Sequence, residues 1–198
     1  MVLFQKVAGP FREFGAVAGL IYSINRVLTS ISPALRLQVY EMMVQPISDQ
    51  PLLSEKMRAH VEIREILRDA PEIALMPVRP DAMAARLRQK TVCLGAFRKG
   101  KFIGYMWFCH DTYEEDQARC TYRLTPPEQS VFDFDFYLFP EHRLGLGFVA
   151  LWNGANEYLR ARGIRHTYSR LDRFNLASRR AHDHLGWKRV GQVLILQL

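Results

Sequence analysis

The chain lacks an apolar run long enough to cross a bilayer, which takes about 20 consecutive residues. The stretch 14–22 is apolar but short, and no small-residue cleavage site follows it, so it reads as neither a spanning helix nor a secretory leader. Cysteine is scarce. Cys93, Cys109 and Cys120 are odd in number and have no metal-ligand spacing, which excludes a disulfide framework and a cysteine-rich metal site. They read as reduced thiols of a cytoplasmic protein. There are no internal repeats and no low-complexity segments. The lysine-bearing phosphate loop and the dinucleotide fingerprint are also missing. Acidic residues are in deficit, 20 against 27 basic, giving a net charge of +7 and a pI near 9.5. That balance suits an acidic partner such as a phosphorylated cofactor, an acidic carrier protein, nucleic acid or a membrane surface. A generally basic surface accounts for it equally.

What is present is ordinary globular material. The 198 residues are 48% hydrophobic, enough for one domain with an extension. Residues 1–59 read as an N-terminal helix and an extended segment, and 60–198 as the main domain. Phe14, Val17, Leu20, Ile21, Ile24 and Leu28 recur at helical spacing and predict a helix over 11–28. It packs on the domain or on a second copy of the chain. An interfacial membrane helix would need more lysine and arginine on its polar face. Ser32 and Pro33 break it. A strand is expected within 35–47, and a polar linker over 49–59. Residues 61–66 alternate as a half-buried strand. Residues 69–90 are helical in two pieces divided by Pro77 and Pro80, with Asp81 as N-cap of the second. Strands 92–97 and 102–109 are joined by a hairpin turn in which Gly100 supplies positive φ. An acidic loop at 111–116 and a short strand within 119–124 follow. Gly163 and Gly186 end helices, 165–171 is a strand, and two last strands flank Gly191.

The rest of the chain is organised around 131–159. Residues 131–139 are almost all aromatic or aliphatic, apart from Asp133 and Asp135, and Pro140 ends the strand. Gly145 and Gly147 then lead into an amphipathic helix. A strand, a glycine turn and a helix N-terminus make an anion site, because the first amide hydrogens of the helix have no internal partner and its dipole is positive there.

Three features resemble the GNAT superfamily of acyl-coenzyme A-dependent N-acyltransferases. The segment LFPEHRLGLGFVAL (138–151) is similar to that family's pyrophosphate-binding segment. Arg162, Gly163 and Ile164 form its usual junction into the next strand. Asn175, Leu176, Ala177 and Ser178, followed by Ala181, His182, Leu185, Gly186 and Trp187, are similar to its N-x-x-A/S helix. The likeness covers roughly 60–196. It implies an α/β fold in which a central mixed sheet carries helices on both faces. It also implies transfer of an acetyl or longer acyl group to a primary amine, by direct attack in a ternary complex. Acyl-coenzyme A is then the co-substrate, the acceptor is a small molecule or peptide, and no metal is required. An acidic acyl-carrier protein is an alternative donor.

The resemblance also implies roles. Backbone groups of Leu138 and Phe139 hold the pantetheine arm. The amides of Arg143, Leu144, Gly145, Leu146, Gly147 and Phe148 face the pyrophosphate, although Leu146 and Phe148 stand where the family has small residues. Asn175 fixes the turn before its helix and touches the cofactor arm, or is a plain N-cap. His182 stands where many relatives carry a tyrosine that protonates the leaving thiolate. An imidazole suits that acid role, or the residue is an exposed helical histidine. Asp133 and Asp135 are the nearest carboxylates. Strand alternation puts both on the face of Tyr137, and burial raises their pKa. Asp135 in particular acts as base or amine-binding group, or both pair with arginines such as Arg119, Arg123 or Arg170. Two rivals remain: a catalytically degenerate GNAT-like binding or assembly module, and a basic nucleic-acid-binding α/β protein. Against the second, the arginines are scattered and no nucleic-acid motif is present.

Overall fold

The structure is a computed structural model that describes residues 11–12, 14–115, 120–143, 145–183 and 185–197. In chain order its elements are α1 (Ala16–Ile31), β1 (Arg36–Pro46), α2 (Glu55–Arg58), β2 (Glu62–Ile66), α3 (Pro80–Arg88), β3 (Thr91–Arg98), β4 (Lys101–His110), β5 (Thr112–Glu114), β6 (Thr121–Arg123), β7 (Ser130–Leu138), α4 (Gly147–Arg160), β8 (His166–Asp172), α5 (Leu176–Asp183) and β9 (Lys188–Gln197). Seven strands form one mixed sheet, and β5 and β6 form a small side ribbon. The α/β class read from the sequence is the one observed.

The chain divides into two compact units, 44–169 and 1–43 with 170–198. Neither division falls at the 59/60 boundary read from the sequence. In the larger unit the strand order is β2-β3-β4-β7-β8. The first three pairings are antiparallel, while β7 and β8 run parallel, as a strand-helix-strand connection through α4 requires. One face of this sheet packs Ile66, Cys93, Phe97, Phe102, Tyr105 and Trp107 against Met76 and Met83, the latter on α3. The other face carries α4, which buries Ala150, Leu151, Trp152, Ala155 and Leu159. At Gly154 a side chain would lie 2.6 Å from Ile63, so the helix crosses β2 where only glycine fits.

In the smaller unit the order is β8-β1-β9. The Arg173 amide donates to the carbonyl of Val39. The strand from the N-terminal part of the chain is therefore interior to the sheet. Helix α1 packs through Tyr22, and Phe14 just before it, on the Phe174 ring, and Asn25 Oδ1 accepts the Leu37 amide at 2.8 Å. Glu41, buried on β1, pairs with Arg173, Arg179 and Arg189.

Two local expectations change. Asp81 does not cap α3: Pro80 starts the helix at its first position, Arg79 becomes the N-cap, and Asp81 pairs with Arg79 at 3.0 Å. The two last strands are one, because Gly191 continues the extended backbone of β9. No helix of the described residues is long and apolar enough to cross a membrane.

Candidate functional site

Strand β7 stays paired with β4 as far as Gly104↔Leu138, but its parallel register with β8 ends at Phe132↔Tyr168. Six residues of β7 thus run on beyond the last β8 pair, and Asp133 is the first of them. Asp133 and its β4 partner Phe108 lie on the α4 face, opposite Trp107 and Phe134. The carboxyl is buried, and burial pushes its pKa up to about 7, with the Thr167 and Ser169 hydroxyls opposing that rise. Asp133 Oδ2 and Thr167 Oγ1 nevertheless complete no hydrogen bond of normal geometry. The result is a carboxyl that exchanges a proton near neutral pH, set at the fork of two strands.

Asp135 is different. Its φ of +50° and the register shift between Tyr105 and Trp107 mark a β-bulge, where two residues of β7 face one of β4. The extra residue breaks the alternation that the sequence reading assumed. Asp135 turns to the α3 face and pairs with the buried Arg86, and the Tyr105 hydroxyl lies 3.3 Å away. The two aspartates therefore lie on opposite faces of the sheet, and only Asp135 shares a face with Tyr137, whose ring stacks on Tyr105. The partner of Asp135 is none of the arginines named from the sequence. Arg119 lies outside the described residues, and Arg86 went unnoticed because it sits 49 positions away on a helix. The available signal was its place three residues after Met83, on the apolar stripe of α3.

The loop after β7 leads directly into α4. Leu146 is the N-cap and offers no side-chain hydrogen bond, and no acidic residue occupies the first turn. The turn thus leads into the positive end of a 14-residue helix. Gly145 has φ +140°, which favours glycine, and a side chain there would meet nothing within 4 Å. Gly147 packs on Leu138, to which an added β-carbon would come within 3.3 Å. Leu144 lies outside the described residues. The Phe148 ring stands 5.0 Å from that of Phe136 and so packs on β7.

Two backbone groups expected to be open are occupied. The Leu138 carbonyl accepts Arg143 Nε at 3.0 Å, and the Phe139 amide donates to the Ile103 carbonyl. Arg143 is thereby folded back along the strand end, its guanidinium 5.5 Å over the Tyr137 ring.

Asn175 and His182 belong to the smaller unit. Asn175 Oδ1 accepts the Ser178 amide at 3.1 Å, the N-cap geometry. His182 is buried, not exposed, and its Nδ1 lies 2.8 Å from the Ser178 carbonyl. A carbonyl only accepts, so Nδ1 carries the proton. Burial holds the imidazole pKa below its usual value. The ring is thus neutral at neutral pH, which opposes the acid role inferred from the resemblance. Among the described residues no cluster of histidine, cysteine and carboxylate side chains has the makings of a metal site.

No family model matches the sequence, and no curated protein is similar to it. Solved structures are similar in fold. A putative acetyltransferase of the GNAT family from Novosphingobium aromaticivorans superposes with a TM-score of 0.52 at 13% identity, over 83% of this chain and 66% of its own. The tandem GNAT protein of the clavulanic acid biosynthesis pathway gives 0.55 at 15%, over 87% and 57%. The aminoglycoside N-acetyltransferase AAC(6')-Iy, solved with coenzyme A, gives 0.52 at 16%, over 69% and 98%. The chain thus spans somewhat more than half the length of the tandem protein, and about two thirds of the Novosphingobium one. A seven-stranded mixed sheet, a parallel pair that parts after three residues and an uncapped helix behind it make this the GNAT acetyltransferase fold.

Proposed function

We propose that the chain is an N-acyltransferase that moves an acetyl or longer acyl group from acyl-coenzyme A to a primary amine, by direct attack in a ternary complex. The observation that carries this reading is the parting of β7 from β8 immediately before Asp133, with the N-terminus of α4 beyond the far end of the same strand. A pyrophosphate suits the helix N-terminus, and Gly145 leaves space beside it. The thioester arm follows the open edge of β7. Arg143 releases the Leu138 carbonyl to that arm and turns its guanidinium to a phosphate, for which its planar fork is suited. Asp133 acts as general base: an ammonium acceptor loses its proton to the carboxylate, the free amine attacks the thioester carbonyl, the C–S bond breaks, and the departing thiolate takes the second amine proton and leaves as coenzyme A thiol. A base with a pKa of about 7 is half ionised at neutral pH.

The occupied Leu138 carbonyl and the bulk of Leu146 and Phe148 favour a second reading, a GNAT-like module that binds without catalysis. Calorimetry with acetyl-coenzyme A and turnover with a panel of amines divide the two. Binding with turnover is expected. Binding without turnover on any amine leaves the module, and absence of binding by the folded protein removes both.

A further inference from the structure

The smaller unit holds more positive charge than its own carboxylates offset. Residues 1–43 and 170–198 contain ten lysines and arginines against four carboxylates. Asp172 accepts the Phe174 amide and Asp183 accepts the Trp187 indole N–H, and neither pairs with a cation. Among the described residues Glu41 alone does so in this unit. Its side chain is 1% exposed, and it is approached by Arg173 Nη1 at 2.8 Å, Arg179 Nε at 3.3 Å and Arg189 Nη1 at 3.5 Å. One negative charge against three positive ones leaves a surplus of two. A guanidinium does not lose its proton in a protein, so the surplus persists at any working pH. Water screens it only in part, because the Arg173 and Arg179 side chains are 23% and 29% exposed. Arg173 Nε is buried and has no hydrogen-bond partner. A buried donor left in that state is uncommon and calls for an acceptor. Arg189 is 53% exposed and makes the longest of the three contacts, so most of its fork of donors is open to a ligand.

We propose that Arg173, Arg179 and Arg189 form a binding site for the phosphate of a soluble phosphate monoester, with Glu41 as the fixed anion that gathers them. Charge selects the ligand. A phosphate monoester carries about −1.5 to −2 charges near pH 7, which matches the surplus, whereas a carboxylate or a phosphodiester offsets half of it. Geometry agrees. Arg173 Nη1 and Arg189 Nη1 reach the same oxygen, Glu41 Oε1, so they stand no further apart than those two contacts together. Two oxygens of one phosphate bridge such a span, and a planar guanidinium meets them with paired N–H groups. The donors are also held in advance. They come from the β8–α5 turn, α5 and β9, Glu41 ties them to β1, and Arg179 Nη1 donates to the Arg173 carbonyl at 3.4 Å. Little side-chain freedom is then lost when the ligand binds. The site shares no residue with Asp133 or the turn at Gly145, so it stands apart from the acyl-transfer reading.

Calorimetry of the whole chain with methyl phosphate, in chloride buffer of fixed ionic strength, tests this. Saturable binding is expected. Arg189→Gln is expected to weaken it about tenfold or more. Circular dichroism and Tm of that variant should stay near wild type, because Arg189 is half exposed. Dimethyl phosphate, with a single charge, is expected to bind more weakly than methyl phosphate. Gly145→Val is expected to keep the binding, which separates this site from a phosphate held at the N-terminus of α4. If Arg189→Gln does not fold, the Nε–H resonances of Arg173 and Arg189 in the wild-type chain are expected to shift as methyl phosphate is added. No saturable binding by the folded wild type overturns the proposal, and so does an affinity unchanged in folded Arg189→Gln. Unshifted arginine resonances overturn it as well. Binding lost in Gly145→Val but kept in Arg189→Gln assigns the ion to α4, and binding to phosphatidic acid vesicles alone assigns the arginines to a lipid surface. Either result overturns it too.

Discussion

Asp133 and Asp135 stand two positions apart and have opposite fates. Asp133 is buried with no cation beside it among the described residues, and its carboxyl is charged only at a cost. Its folded pKa of about 7 lies above the ordinary value of 3.8. The ionised form is therefore disfavoured by folding, and the cost grows from pH 3.8 to full size above 7, reaching about 4 kcal/mol. Asp133→Asn removes that cost. It is expected to raise stability at pH 8, with the gain vanishing near pH 4, as measured by denaturant unfolding at the two pH values. The same change should lower turnover by about 10²–10⁴-fold and abolish an acidic limb near pH 7. Loss of activity with no gain in stability at pH 8 would instead mean that the carboxyl is already paired. Asp135 is held by a buried arginine, and removing the carboxylate takes one counter-charge from a buried guanidinium. Asp135→Asn is expected to cost about 3–5 kcal/mol, and the double change Asp135→Asn with Arg86→Met to recover part of it. An unchanged unfolding midpoint for the single variant would show that solvent reaches Arg86. The thiols nearby are quiet by the same physics: burial pushes Cys109 up to about 11 and Cys93 higher still.

At the scale of elements, the turn between β7 and α4 joins a strand that ends in an engaged carbonyl to a helix that begins without a side-chain cap. Gly145 sets the angle between them at φ +140°. A β-branched residue there strains the backbone and re-aims the amides that follow. Gly145→Val is expected to weaken acetyl-coenzyme A binding at least tenfold in calorimetry while the unliganded Tm falls only slightly. Unchanged affinity in the folded variant would take the turn out of the site. The bulge in β7 is the second decision made at this scale. Without it Asp135 would not lie next to Phe134 on the α3 side, where Arg86 also stacks 5.4 Å from the Phe134 ring.

Across the whole molecule the charge is uneven. The larger unit nearly balances, with 17 basic and 16 acidic residues, so the net charge of +7 resides almost wholly in the smaller one. There a single buried carboxylate, Glu41, gathers Arg173, Arg179 and Arg189 from the β8–α5 turn, α5 and β9. These cations are tied to β1 and are not a uniform solvated surface, which is how the sequence composition reads. Glu41→Gln leaves three arginines without their common anion. It is expected to destabilise the chain by about 3–5 kcal/mol in urea unfolding at neutral pH, and the loss should shrink as salt is added. A loss below about 1 kcal/mol would mark the three pairs as surface-like.

The sequence by itself determined the local elements. The hairpin at Gly100, the strand from 130 to 138, the helix behind Gly147 and the cap at Asn175 each depend on periodicity or turn chemistry within a few residues, and each is where that chemistry puts it. Their order indicated a mixed sheet with helices on both faces, and three motifs that resemble the GNAT family indicated its fold. What only the tertiary structure decided depends on distant partners. It set β1 between β8 and β9, brought Arg86 to Asp135, and buried His182 against Ser178. It also separated the two aspartates, because one inserted residue in a strand reverses the faces beyond it. No count of alternating residues registers that until the pairing with β4 is known.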